Sequence, residues 1–234
     1  MPLKTSFPSE WDKQAANWDK GIHSPKWPHY HYYKTFDVYL LKTLSKCTRV
    51  LELGCGTADS TINFAPYADE IFASDFSEEM IRITAKKIGS SGFAEKVHLA
   101  VFDAQNIPFT DEYFDGVFSR GGLINYVPHP EVLLREIYRV LIHGGKLVFD
   151  MITRRPGGEA SLYSKNQVEK LLKIAGFSSA DFRPMGMFLH LWRNRELMNF
   201  INEHRDIFCR IEVEMAKAFK PAKSTMMLIL TNKP

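Results

Sequence analysis

The residues best placed to do chemistry sit in "RVLELGCGTADS", Arg49–Ser60, where an apolar run meets two glycines separated by one residue. The carboxylate of Glu52 lies just before them. In a βαβ unit, a Gly-x-Gly turn after the first strand lets a ligand lie close over the next helix's N-terminus, where free N–H groups point outward. The second strand of such a unit ends in a carboxylate for a ribose, about 20 residues on. "IFASDFSEEM" supplies Asp75 at that place, followed by Phe76 and, in the helix behind, Met80. Gly54, Gly56 and Asp75 together describe an adenosine site, whereas Gly-x-Gly alone would serve equally as a structural turn. No Gly-Lys-Ser/Thr follows, which excludes a phosphate loop of that type.

Two details choose among adenosine ligands. Asp59 occupies the position of a third dinucleotide glycine, so a pyrophosphate would face a carboxylate there. Glu52 likewise suits a ligand with a positive group. S-adenosylmethionine has adenosine, no phosphate, a sulfonium and an amino group, and it fits both details.

The surrounding pattern must hold these residues in place. Apolar runs predict buried strands at Val50–Leu53, Glu70–Ser74, Val97–Phe102, Phe114–Ser119 and Lys146–Met151. Helical patterns fall between and after them. Ser77–Ile88 carries Glu78 and Glu79 in its first turn, where they suit the helix dipole. Glu131–Leu141 stops before Gly144-Gly145, and Ser164–Ala175 stops at Gly176. This alternation predicts an α/β, doubly wound, mostly parallel sheet. The ends break the rhythm. The first 46 residues hold Trp11, Trp18, Trp27, Tyr30, Tyr32, Tyr33 and Phe36, with His23, His29 and His31 among them. Arg195–Phe219 reads as one long amphipathic helix through Leu197, Phe200, Ile201, His204, Phe208, Ile211 and Met215, closed by Pro221. Thr225–Thr231 reads as a final strand. The expectation is one domain over 1–234, with an aromatic cap (1–46), a core (47–190), a helical insertion (191–222) and a last strand (223–234).

Length and composition bound the rest. The chain has 234 residues, 45% hydrophobic and 24% charged, with a net charge of +3. That is ordinary for a globular α/β protein and too mild to argue for nucleic acid. Three cysteines without paired spacing argue against a disulfide framework or a structural zinc site. No metal spacing stands out. The absence of an apolar leader or a long apolar run predicts a cytoplasmic protein with no membrane span.

The chain resembles the class I S-adenosylmethionine-dependent methyltransferases, within the type 11 group around the ubiquinone and menaquinone-biosynthesis methyltransferases. The similarity runs from about Trp11 to Phe177. It rests on "VLELGCGTA", "ASDFSEEMI", "VFDAQNIPFTDEYFDGVFS" and "YVPHPEVLLREIYRVLIHGGKLVF", in family order. The resemblance implies a Rossmann-like, seven-stranded sheet whose last strand inserts antiparallel beside strand five. It implies S-adenosylmethionine as cofactor and S-adenosylhomocysteine as product. The cofactor residues it implies are Glu52, Gly54, Cys55 (a small spacer), Gly56, Asp75, Phe76, Met80, Asp103, Ala104, Ser119, Arg120 and Gly121, with Asp103-Ala104 beside the adenine. Ala58 stands where many members carry a third glycine, a mild change on size alone. Arg120, in "SRGGLINYV", replaces a usually apolar residue and reads either as a site residue or as a solvated loop residue. The Asn-Pro-Pro-Tyr signature of enzymes acting on exocyclic base amines is absent.

Methyl transfer from a sulfonium is an in-line displacement that needs positioning above all, and no catalytic triad is present. Tyr33, Tyr126 and His129 are the candidates for contact with the acceptor, His129 also reading as a surface helix cap. The expected acceptor is a small molecule, under a cap with Trp18, Tyr30 and Tyr33 nearest the cofactor. RNA is the second reading, through Arg193, Arg195, Lys217, Lys220 and Lys223. A silent cofactor-binding scaffold is a third, and a nicotinamide dehydrogenase ranks behind them. The 195–219 stripe offers a face for core packing or a homodimer, and together with the aromatic N-terminal region it is expected to form the acceptor pocket.

Overall fold

The computed structural model describes residues 8–22, 30–153, 163–186, 188, 194–218 and 226–234. Seven strands form one sheet: β1 (Arg49–Leu53), β2 (Glu70–Asp75), β3 (Val97–Val101), β4 (Phe114–Ser119), β5 (Leu141–Ile152), β6 (Ala180–Met185) and β7 (Met226–Asn232). Their order is β3-β2-β1-β4-β5-β7-β6. The first five pair in parallel, and β7 runs antiparallel between β5 and β6. This is the Rossmann-like arrangement that the resemblance implies.

Both faces of the sheet are covered, which is why its strands read as nearly unbroken apolar runs. Val50, Phe118, Val148 and Leu228 face one buried cluster. Their neighbours Leu51, Val117, Leu147 and Ile229 face the other. The first cluster is completed by α2 (Tyr30–Leu44), α3 (Asp59–Phe64), α4 (Glu78–Ser91) and α8 (Arg205–Ala218), the second by α5 (Pro130–Val140) and α6 (Lys165–Ala175). Local chemistry sets the helix starts. The Ser77 hydroxyl accepts from the Met80 N–H at 3.1 Å, and Ser164 forms a capping box with Gln167.

Three expectations need correction. β5 begins at Leu141, directly after α5, and runs through Gly144-Gly145. Those glycines end no helix. They lie in an irregular stretch where Phe114 pairs with Leu141 but Gly116 pairs with Lys146, and Gly145 O accepts from Lys233 N–H at 2.9 Å. β6 had no strand reading of its own, because "ADFRPM" mixes two charges and a proline among few apolar residues. Arg195–Phe219 is two helices, α7 (Arg195–Glu203) and α8, parted at His204. His204 leaves helical geometry while its carbonyl accepts from the Ile207 and Phe208 N–H groups, so the apolar spacing continues across the break. The buried face of α8 is Cys209, Glu212 and Val213, whereas Phe200 and Ile211 are exposed. Trp27, His23, His29 and residues 219–225 lie outside the described residues, as do the side chains of Tyr30, His31 and Tyr32.

Before the sheet come α1 (Pro8–Ile22) and α2, the helices that carry the aromatic cluster. Helix α1 lies along α4 and α2 along α8. Among the described residues no helix is long and apolar enough to cross a membrane.

Candidate functional site

In a doubly wound sheet, ligands bind beyond the carboxyl ends of the strands where the strand order reverses. Here the reversal falls between β1 and β4. A cavity of about 370 Å³ opens there, within the range of small-molecule sites. Glu52, Gly54, Cys55, Gly56, Asp75, Phe76, Met80, Asp103, Ala104, Arg120 and Gly121 all line it. Ser119 does not: it ends β4, buried, with its hydroxyl unpaired among the described residues. Tyr33 and Tyr126 reach the cavity, and His129 does not. His129 caps the start of α5, exposed, with Nδ1 3.4 Å from Glu131.

The floor is the turn after β1. Gly54 and Gly56 have φ of +71° and +54°, backbone that L side chains rarely adopt. A Cβ on Gly56 would point at the indole nitrogen of Trp18, 3.6 Å away. The turn is tied to β2 twice: Cys55 N–H donates to Ser74 O at 2.8 Å, and Gly56 N–H to Asp75 Oδ2 at 3.0 Å. The other Asp75 oxygen accepts from Ser77 N–H at 3.0 Å. Burial raises the Asp75 pKa, with these N–H groups opposing the shift. Ala58 also has a left-handed φ, +74°. Exchange of glycine for alanine there is therefore no mild matter of size, since that backbone costs an L residue roughly 1–2 kcal/mol.

Glu52 sits beneath the turn, buried, and accepts from the Thr61 hydroxyl at 2.6 Å. Burial pushes its carboxyl up to about 8, against that hydrogen bond. Arg120 is the cavity's lining cation, and it is buried rather than a solvated loop residue. Its guanidinium donates to Asp59 at 2.5 Å, makes a longer ion pair with Asp37 at 3.5 Å, and lies 4.0 Å from the centre of the Tyr33 ring. Burial works against its charge, and the two carboxylates outweigh burial. Asp37 is itself raised by burial to about 6, with Arg120 pulling it down.

The roof comes from α1. Trp11 meets the edge of Tyr126 with ring centres 5.4 Å apart, and Trp18 packs edge-on against Trp11. Two carboxylates latch α1 to α4: Asp12 accepts from the Ser77 hydroxyl (2.5 Å) and the Glu79 N–H (3.2 Å), and Asp19 pairs with Lys87. Thr57 and Ser60, which the sequence reading passed over, also line the cavity. Both hydroxyls are buried and unpaired among the described residues. Their signal was available in part: Thr57 directly follows the second glycine, and Ser60 is the second residue of α3. Among the described residues no cluster of His, Cys, Asp and Glu could hold a metal ion.

Residues 51–149, which span the floor and the strands on both sides of it, match the family model described as a methyltransferase domain. The chain carries a type 11 methyltransferase domain over those residues. A demethylmenaquinone methyltransferase of Clavibacter sepedonicus is 29% identical over 74% of this chain and 74% of its own length. The ubiquinone/menaquinone biosynthesis C-methyltransferase UbiE of Geotalea daltonii is 34% identical over 43% of each chain. A demethylmenaquinone methyltransferase of Anoxybacillus flavithermus is 39% identical over 45% of each. The match thus spans less than half of the latter two relatives. Among solved structures, a Haemonchus contortus phosphoethanolamine N-methyltransferase holding phosphomonomethylethanolamine and S-adenosylhomocysteine superposes with a TM-score of 0.65 at 19% identity, over 99% of this chain and 61% of that one. The [4+2]-cyclase SpnF reaches 0.65 at 21% identity, over 86% and 80%. At these identities the structures share the fold alone. A second structure of a Haemonchus contortus phosphoethanolamine N-methyltransferase, 18% identical with a TM-score of 0.64, is in complex with S-adenosyl-L-methionine.

Proposed function

We propose that this methyltransferase holds S-adenosylmethionine across the Glu52–Gly56 turn and methylates a small aromatic acceptor under α1. The observation that carries the reading is a cavity with two unlike walls. One is bare backbone with Asp75 and Asp103; the other is Trp11, Trp18, Tyr33 and Tyr126. The residues present fit the cofactor. Gly54 and Gly56 leave a cradle that side chains would fill, Asp75 would hold the ribose, and Asp103-Ala104 would flank the adenine. Glu52, Met80 and Phe76 complete that wall.

When bound, the cofactor supplies a methyl group already activated on a sulfonium. The chain then has three tasks. The turn orients the donor, worth roughly 7–11 kcal/mol when acceptor and donor are aligned. The tryptophans exclude water, and aromatic faces beside a sulfonium add about 0.5–2 kcal/mol of cation–π attraction. Tyr126 and Tyr33 offer hydroxyls to the acceptor. Relatives named for demethylmenaquinone support an aromatic acceptor, and stacking against the cap supports a flat one. The side chains on which the RNA reading rests, Arg193, Arg195, Lys217, Lys220 and Lys223, lie outside the described residues. Calorimetry with S-adenosylmethionine, S-adenosylhomocysteine and NAD, followed by methyl transfer to hydroquinones and phenols, tests the reading. Tight NAD binding with no response to either adenosyl ligand would overturn it. Binding without turnover on any acceptor would favour the scaffold.

A further inference from the structure

The strand order gives a bound ligand a direction. Asp103 follows β3 and Asp75 ends β2, while Arg120 follows β4 on the far side of β1. A donor with its base at Asp103 and its ribose at Asp75 must extend its amino-acid end over β4. The side chains waiting there are Arg120, Ser60 and Thr57. The two hydroxyls are buried, line the cavity and have no hydrogen-bond partner among the described residues, an uncommon state for a buried polar atom. A guanidinium and two hydroxyls together make a donor-rich pocket for a carboxylate.

Arg120 already holds two carboxylates, and they are held unequally. The contact to Asp59 is short, at 2.5 Å, whereas Asp37 lies at 3.5 Å, outside the usual hydrogen-bond range. Asp37 also has somewhere to go. Its other oxygen accepts from Asn63 at 3.1 Å. It lines a second groove of about 380 Å³ together with Lys34 and Arg210, so cations flank it on that side as well.

We propose that Arg120, with Ser60 and Thr57, receives the carboxylate at the amino-acid end of the donor, and that this carboxylate replaces Asp37 as the second partner of the guanidinium. Asp59 keeps its place throughout. Because Asp37 and Tyr33 both belong to α2, the exchange ties arrival of the donor to the seating of that helix. The inference rests on the donor lying across the glycine turn as proposed above. It assigns Asp37 as a competitor of the ligand, a role that no residue of the turn has.

Calorimetry with two ligands separates the possibilities: S-adenosylhomocysteine, which has the carboxylate, and methylthioadenosine, which lacks the whole amino-acid end. Asp37→Asn removes the competitor and leaves the Arg120–Asp59 pair intact. It should tighten S-adenosylhomocysteine by about 3- to 10-fold, the share lost to a competing bound state, and leave methylthioadenosine unchanged. Arg120→Met should weaken S-adenosylhomocysteine by roughly 10- to 100-fold with little change in methylthioadenosine. Should Arg120→Met fail to fold, Asp37→Asn and Ser60→Ala still decide, the latter weakening S-adenosylhomocysteine alone. If Asp37→Asn leaves S-adenosylhomocysteine unchanged or weaker, or if the variants move both ligands in parallel, the inference is wrong while the donor site stands. A wild-type protein that binds neither ligand would overturn the proposed function itself.

Discussion

The floor and the roof of the cavity are built in opposite ways. The floor is held through the backbone N–H groups of the turn: Cys55 donates to the Ser74 carbonyl and Gly56 to the Asp75 carboxylate, within a single βαβ unit. The roof is held by side chains that meet across the chain. Asp12 reaches Ser77, Trp11 reaches Tyr126, and Arg120 reaches Asp37. Backbone bonds inside one unit tolerate little change. Side-chain latches between separate elements can open without unfolding what lies beneath them. The contrast suggests a rigid donor site under a removable acceptor cap, and it can be broken from either side.

The harshest test strikes the floor. Gly56→Val places a β-branched residue at φ +54° with its Cβ aimed at Trp18. We expect a stability loss of about 1–3 kcal/mol and more than about 100-fold weaker binding of S-adenosylhomocysteine, near 3 kcal/mol, read by urea unfolding and calorimetry. An unaffected variant would mean that the turn is not the floor of the site.

The second test uses pH. Glu52 has its carboxyl raised from 4.5 to about 8, so the folded state keeps a proton that the unfolded state releases. Its contribution to stability is full below the unfolded value and is lost as pH rises through the folded one. Asp37 and Asp150, both raised to about 6 by burial, act in the same direction at lower pH. The ligand-free protein should lose on the order of 2–4 kcal/mol between about pH 5 and about pH 9 through Glu52. Glu52→Gln should flatten that fall, and a parallel pH profile in the variant would contradict the assignment.

The roof should respond more gently. Asp12→Ala removes one latch and should weaken the donor by about 5-fold, near 1 kcal/mol. Amide exchange should quicken in α1 and stay slow in β1 and β4. Equal quickening in α1 and the strands would show that floor and roof unfold together.

These differences also set what the sequence could reveal. Strands β1 to β4, the Ser77 cap and the Gly54–Asp75 unit were legible because each depends on near neighbours and on simple periodicity. The buried state of Arg120 was not, since it follows from Asp37 and Asp59 folding over it. The break at His204 hides inside an unbroken apolar spacing. The left-handed backbone of Ala58 is invisible in its side chain, and it yields the smallest predicted effect. Ala58→Gly relieves about 1 kcal/mol of backbone strain but gives up a buried methyl worth about 0.8 kcal/mol and adds chain entropy to the unfolded state. Unfolding measurements should place it within about 0.5 kcal/mol of the parent. A gain above about 1 kcal/mol would mean that the methyl packs against nothing useful.

The central claim is that the carboxylate ending β2 takes the ribose of an adenosyl donor. Asp75→Ala would confound the test, because Asp75 also holds the Gly56 and Ser77 N–H groups. Asp75→Asn keeps the shape of the side chain and loses only one of its two acceptor oxygens, so calorimetry with S-adenosylhomocysteine, beside a melting curve that reads the cost of the lost bond, is the most direct measurement. The account predicts a fold that still melts cooperatively and an affinity lowered by roughly 10- to 150-fold, the value of hydrogen bonds to a charged group. A variant that melts normally and binds S-adenosylhomocysteine as tightly as the parent would contradict it.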